Sequence, residues 1–237
     1  MRIPKFSYCV DDLKLVEKAT SALGDSSYKP RDFKEITELL REGKPLSIVC
    51  LGDSVTAGTS LTNGDSERYT VLLQEKLRAH YKNDKISVKC LGVGGAHLDS
   101  AISWINRDFA GDPPDLATIM VGYNDKTAAN SVDYFARGLK DFINVFAAKT
   151  KGKTALLLIP TIPGTGYRFD MMDDYAQVFR DVAKEANLPL CDVQKVFKSL
   201  GKDKIGDYMA DMAHPNSKGH ELFADTLAAY IIDKTEK

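Results

Sequence analysis

No apolar run in the chain approaches the roughly 18 to 20 residues that a helix needs to cross a bilayer, which argues against a membrane-spanning class. Residues 1–10 (MRIPKFSYCV) lack the apolar centre of an export signal, so a soluble chain is expected, cytoplasmic by default. Charge of one sign is not in excess either: 32 Lys and Arg face 33 Asp and Glu, a formal net charge of -1. With no dense basic run or aromatic-interleaved basic stripe, neither nucleic acid nor a membrane surface is an expected partner. Cysteine is sparse: Cys9, Cys50, Cys90 and Cys191 are widely spaced without a CxxC pair, and read as free thiols rather than a disulfide framework. Several cofactor signatures are also incomplete. His220-Glu221-Leu222-Phe223-Ala224 fails H-E-x-x-H, so no metal is expected, and no phosphate-binding G-x-x-x-x-G-K-[ST] run occurs. The pair Gly92 and Gly94 has His97 where a dinucleotide loop needs its third glycine.

What is present is an alternation. A hydrophobic content of 43% over 237 residues suffices for one substantial core. From Leu46 onward, short β-rich runs alternate with segments of helical period, the pattern of a parallel sheet covered on both faces. The expected strands are 47–51, 86–91, 116–121, 155–159 and 190–193. Runs such as Ala155-Leu156-Leu157-Leu158-Ile159 are apolar throughout, as strands buried on both sides require. Helices are expected over 69–81, 98–109, 131–149, 171–186 and 217–232, each with an apolar stripe at helical spacing. Residues 1–45 stand outside this alternation, with weakly amphipathic segments at 11–23 and 31–41 separated by Gly24-Asp25-Ser26-Ser27 and Pro30. They are read as a helical arm or extension ahead of a domain at 46–237. The arm packs on that domain or on a second subunit, which leaves a homo-oligomer open, or is the tail of a further domain.

In a parallel sheet the loops that follow the strands gather at one edge, however far apart in sequence. Four motifs fall there: Gly52-Asp53-Ser54, Gly92-Val93-Gly94-Gly95, Gly122-Tyr123-Asn124-Asp125 and Asp211-Met212-Ala213-His214-Pro215. A serine hydroxyl becomes a nucleophile only when a base takes its proton, and histidine, with an ordinary pKa of about 6.5, is the side chain suited to that near neutral pH. This makes Ser54 the candidate nucleophile, His214 its base and Asp211 the carboxylate that orients the imidazole, a role a backbone carbonyl can also fill. The negative charge that develops on a carbonyl oxygen needs fixed donors, for which the Ser54 and Gly95 amides and the Asn124 side chain are candidates.

The order and placement of these blocks resemble the SGNH hydrolase superfamily, the GDSL-type esterases and lipases, over residues 46–234. The resemblance implies a three-layer α/β/α flavodoxin-like fold with a five-stranded parallel sheet in the order 2-1-3-4-5. It also implies a serine ester hydrolase that needs no metal or organic cofactor. The chain departs from the family pattern in having Cys90 where an asparagine often ties down the second block, so that hydrogen bond is expected to be missing. It departs again in having His97 two places after Gly95, where a small or hydroxyl residue is common. Asp53, Tyr123, His97, Tyr167 and Arg168 are the candidate substrate contacts, the last two from the long loop 160–169. The expected activity is hydrolysis of short, principally acetyl, esters, with O-acetylated carbohydrate the substrate favoured by resemblance. A lysophospholipase or thioesterase on the same fold is the alternative, and a catalytically silent binding module is the alternative of another class.

Overall fold

The computed structural model describes residues 28–109 and 112–236. Four parallel strands form its sheet: β1 Leu46–Gly52, β2 Ile86–Gly92, β3 Leu116–Met120 and β4 Ala155–Leu158, in the order β2-β1-β3-β4. The helices are α1 Phe33–Arg41, α2 Ser54–Ala57, α3 Gly64–Glu67, α4 Tyr69–Tyr81, α5 Leu98–Asp108, α6 Tyr123–Thr127, α7 Val132–Thr150, α8 Asp173–Ala186, α9 Val193–Ser199 and α10 Ser217–Glu236.

Side-chain alternation along the strands divides the core into two layers. Ala155 and Leu157 of β4 point into one, with Ile36 of α1, Leu73 and Leu77 of α4, and Phe223 and Leu227 of α10. Leu156 and Leu158 point into the other, with Ile102 and Ile105 of α5, Leu139, Phe142 and Phe146 of α7, and Phe179 of α8. All of β3 and β4 is buried, which is why these strands read as unbroken apolar runs. The three layers, the parallel sheet and the central position of β1 agree with the α/β/α reading.

The fifth strand does not form. Leu190 makes a single parallel bridge to Leu158 on the outer side of β4, with Leu158 N donating to Pro189 O (3.0 Å) and Cys191 N to Leu158 O (3.0 Å). Asp192 then caps α9, accepting from Lys195 N at 3.1 Å, and Arg180 holds the same carboxylate at 2.8 Å. That cap turns the chain into a helix at Val193, so the place of the fifth strand is filled by one residue.

The N-terminal segment is partly described. Phe33, Ile36 and Leu40 of α1 are buried in the core beside β1, β4 and α10, and Arg31 N donates to Thr154 O at 2.9 Å. The segment 11–23 lies outside the described residues, as does Cys9. Burial pushes the thiols of Cys50 and Cys191 up to about 12. Among the described residues, no helix is long and apolar enough to cross a membrane.

Candidate active site

The register of the sheet brings the motifs together. Gly52, the last residue of β1, lies opposite Gly92 of β2 on one side and Met120 of β3 on the other. A Cβ at Gly52 would lie 2.0 Å from Thr56 Oγ1, and one at Gly92 would lie 2.2 Å from Ala57 N. Glycine at both positions therefore lets α2 fold back onto the ends of β1 and β2. Asp53 starts that helix, accepting from Val55 N at 3.0 Å, and Gly58 ends it in the left-handed region at φ 78°. Ser54 is the first residue of α2 and partly exposed at the sheet's carboxyl edge.

Asp211 and His214 sit in a tight turn. Met209 and Pro215 form an antiparallel bridge, and Ala210 N donates to His214 O at 2.8 Å. Within the turn, Asp211 Oδ1 accepts from Ala213 N (2.7 Å) and His214 N (2.8 Å), while Oδ2 meets His214 Nδ1 at 2.8 Å. The other ring nitrogen, Nε2, lies 3.0 Å from Ser54 Oγ. Burial pushes the Asp211 carboxyl upward, but the hydrogen bonds from Ala213 and from the ring and amide of His214 outweigh it and bring it down to about 2. An ionised Asp211 at Nδ1 fixes the tautomer in which Nε2 faces the hydroxyl as an acceptor.

The donor side is built by the second and third motifs. Gly95 takes φ 75° with open space about its Cα, and Asn124 Nδ2 donates to Ala96 O at 2.9 Å, which leaves its second N–H available. The backbone amides of Ser54 and Gly95 find no acceptor among the described residues. Gly122 starts α6 at φ 123°, where a Cβ would lie 3.0 Å from the Phe135 ring. Asp125 is buried and receives Leu98 N on both carboxylate oxygens at 3.2 Å, which ties the Asn124 loop to the start of α5. Burial raises its pKa, opposed chiefly by that amide.

The remaining candidates separate into two groups. Tyr123, Tyr167 and Arg168 lie together: Arg168 Nη1 donates to Tyr123 OH at 2.8 Å and Nε to Tyr167 OH at 3.0 Å. Burial withdraws Asp53 from that surface. His97 stands at the start of α5 with Nδ1 3.9 Å from Asp125 Oδ1. Asp53 is fully buried, its second oxygen, Oδ2, having no hydrogen-bond partner, and it acts as a helix cap rather than a substrate contact. Burial pushes its pKa up to about 7, although the Val55 amide and His214 favour the anion.

The tie expected to be missing at Cys90 is present in another form. Its thiol donates to Thr56 O at 3.2 Å and accepts from Gly92 N at 3.4 Å, bridging α2 to the second motif. Ser60, with φ 74°, is a site neighbour that sequence reasoning did not find; its hydroxyl donates to Asp211 Oδ2 at 3.4 Å. No pattern announces it, because its position depends on the turn at Gly58.

A hydroxyl, an imidazole and a carboxylate hydrogen-bonded in line at the carboxyl edge of an open parallel sheet are the arrangement of a hydrolase that works through a serine nucleophile. Residues 50–222 match the GDSL-like Lipase/Acylhydrolase family, and the chain belongs to it as a carboxylic ester hydrolase. Among its relatives is an acetylxylan esterase of Geobacillus stearothermophilus, 24% identical over 78% of this chain and 93% of that protein. Another is the GDSL-like esterase Rv1075c of Mycobacterium tuberculosis, 26% identical over 80% of this chain and 63% of its own length. In fold the chain is similar to LAE5, an alpha/beta hydrolase enzyme from the metagenome of Lake Arreo, with TM-score 0.65 and 24% identity over 78% of this chain and 94% of that one. It is similar also to the crystal structure of Axe2, an acetylxylan esterase from Geobacillus stearothermophilus, with TM-score 0.65 and 22% identity over the same shares of the two chains.

Proposed function

We propose that this chain removes short acyl groups, principally acetyl, from O-acylated carbohydrate through an acyl-enzyme on Ser54. The observation that carries this reading is the hydrogen-bonded line from Ser54 Oγ to His214 Nε2 (3.0 Å) and from His214 Nδ1 to Asp211 Oδ2 (2.8 Å). Ser54 Oγ attacks the ester carbonyl carbon as His214 Nε2 takes its proton. The carbonyl π pair moves onto oxygen, where the amides of Ser54 and Gly95 and the free N–H of Asn124 receive the charge. Collapse of this intermediate breaks the C–O bond to the alcohol, which leaves with the proton from His214. Water, deprotonated by the same nitrogen, attacks the acyl-enzyme; a second collapse releases the carboxylic acid and returns the proton to Ser54. The ionised Asp211 stabilises the imidazolium in both halves.

The acetyl and carbohydrate parts draw their support from the activity by which the acetylxylan esterases among its relatives are named. The test is hydrolysis of p-nitrophenyl acetate and octanoate together with a panel of acetylated sugars. Acetate turnover faster than octanoate is expected, and Ser54→Ala should lower kcat by a factor on the order of 10⁴ or more. Undiminished turnover in that variant would overturn the nucleophile assignment, and faster octanoate turnover would move the substrate to lipid.

A further inference from the structure

We propose that Arg168 and Tyr167 form a subsite for the alcohol portion of the substrate, selecting a sugar that bears a carboxylate. This rests on the carbohydrate esterase reading and deepens it. The loop 160–169 is fastened to the His214 turn: Thr165 N donates to Met212 O at 3.1 Å. At Gly164 a Cβ would come within 2.4 Å of the same oxygen, so the two loops touch along their backbones. On its other side the loop reaches the Asn124 motif, because Arg168 Nη1 donates to the hydroxyl of Tyr123, the residue before Asn124 (2.8 Å). Arg168 is thus strung between two of the loops that carry the site.

Arg31 and Arg180 each make an ion pair with an aspartate, at 3.3 and 2.8 Å, while Arg41, Arg68 and Arg78 donate from Nε to the backbone carbonyls of Thr235, Ala57 and Ile86. Arg168 pairs with no carboxylate among the described residues; its partners are two neutral phenols, with its guanidinium 5.4 Å from the Tyr167 ring centre and 6.0 Å from that of Tyr123. The tyrosines hold the guanidinium in place without cancelling its charge, and Nη2 makes no hydrogen bond to a described residue. A planar fork held in this way is matched to an oxyanion. The Tyr167 ring beside it is 76% exposed and offers a flat apolar face to the C–H side of a pyranose. A charged fork beside an open aromatic face suits a sugar acid better than a neutral sugar or an aliphatic alcohol.

The test compares kcat/KM for acetylated glucuronic acid, acetylated glucose and acetylated glucose 6-phosphate, with acetyl at the same position. The wild type should prefer the acid over the neutral sugar by about tenfold, the size of one charge-assisted hydrogen bond. R168Q should bring that ratio to about one, while R168K, which keeps the charge without the fork, should retain part of it. Equal rates for acid and neutral sugar, an unchanged ratio in R168Q, or preference for the phosphate would each overturn the subsite. Turnover of p-nitrophenyl acetate by the wild type reads the esterase assignment separately. Free glucuronate and glucose, titrated against the wild type and R168Q by NMR, read the subsite without any hydrolysis. Glucuronate binding that is no tighter than glucose, or that is indifferent to Arg168, would overturn it whatever the esterase result.

Discussion

Replacing Asp53 with asparagine should make the protein more stable at neutral and alkaline pH and leave it unchanged in acid. The carboxyl is fully buried, and burial moves its pKa from an ordinary 3.8 up to about 7 against the pull of the Val55 amide and His214. Between those values the folded protein keeps a proton that the unfolded chain gives up. The stability that this group contributes is therefore complete below 3.8 and is lost as pH rises through 7. At ~1.36 kcal/mol for each pH interval, the loss reaches about 4 kcal/mol by pH 8. Asparagine is isosteric and neutral at every pH, and its oxygen can still accept from Val55 N, now at 3.0 Å. Urea unfolding at a series of pH values from 4 to 8 measures the effect as a difference between the two proteins, in which contributions from other titrating groups largely cancel. The variant should match the wild type near pH 4 and exceed it by about 4 kcal/mol at pH 8, equivalent to roughly 10 °C in Tm for a chain of this size. Stability curves that stay parallel across the whole range would refute the argument.

Asp211→Asn should lower kcat by a factor on the order of 10⁴, since the amide cannot stabilise the imidazolium, and steady-state kinetics on p-nitrophenyl acetate would show it. Asp211 is held down to about 2, ionised throughout the usual acid range, so the deficit of Asp211→Asn relative to the wild type should stay constant as pH falls through the ordinary carboxylate range. A deficit that shrinks between about pH 6 and 4 would contradict an ionised Asp211. Gly92→Ala places a Cβ 2.2 Å from Ala57 N and should cost about 3 kcal/mol, whereas Gly94→Ala meets nothing within 4 Å and should leave the unfolding midpoint nearly unchanged.

Periodicity carried the long elements. The stripe over 69–81 coincides with α4, and the expected strands at 86–91 and 116–121 end within one residue of β2 and β3. Helices of four or five residues have no period to read, and α2, α3 and α6 were accordingly not expected. The apolar run at 190–193 misled for a different reason: Asp192 is a better helix cap than a strand residue, and its ion pair with Arg180 is invisible without the fold. At the site, the residue types of Ser54, Asp211 and His214 were legible because the chemistry demands them. That Ser54 and His214, 160 positions apart, meet at 3.0 Å depends on sheet register and on a turn closed by backbone bonds. Cys90 shows the limit from the other side. An expectation built on side-chain identity missed a thiol that donates and accepts where an amide was looked for.

Asp53 and Asp211 are the same residue type near the same imidazole, yet the fold drives their acidities in opposite directions. Asp211 has half its side chain exposed and four hydrogen-bond donors, and stays ionised; Asp53 has no exposure and one unpartnered oxygen, and keeps its proton up to about pH 7. Through the mildly acidic range, His214 therefore has one anionic partner of these two, on the side away from Ser54. A second anion beside Ser54 would oppose the charge that develops on the carbonyl oxygen during attack, at short range and in a medium that screens poorly. In the proposed mechanism, burying Asp53 beneath Ser54 gives α2 its cap while withholding that charge, and leaves Asp211 as the carboxylate available to stabilise the imidazolium.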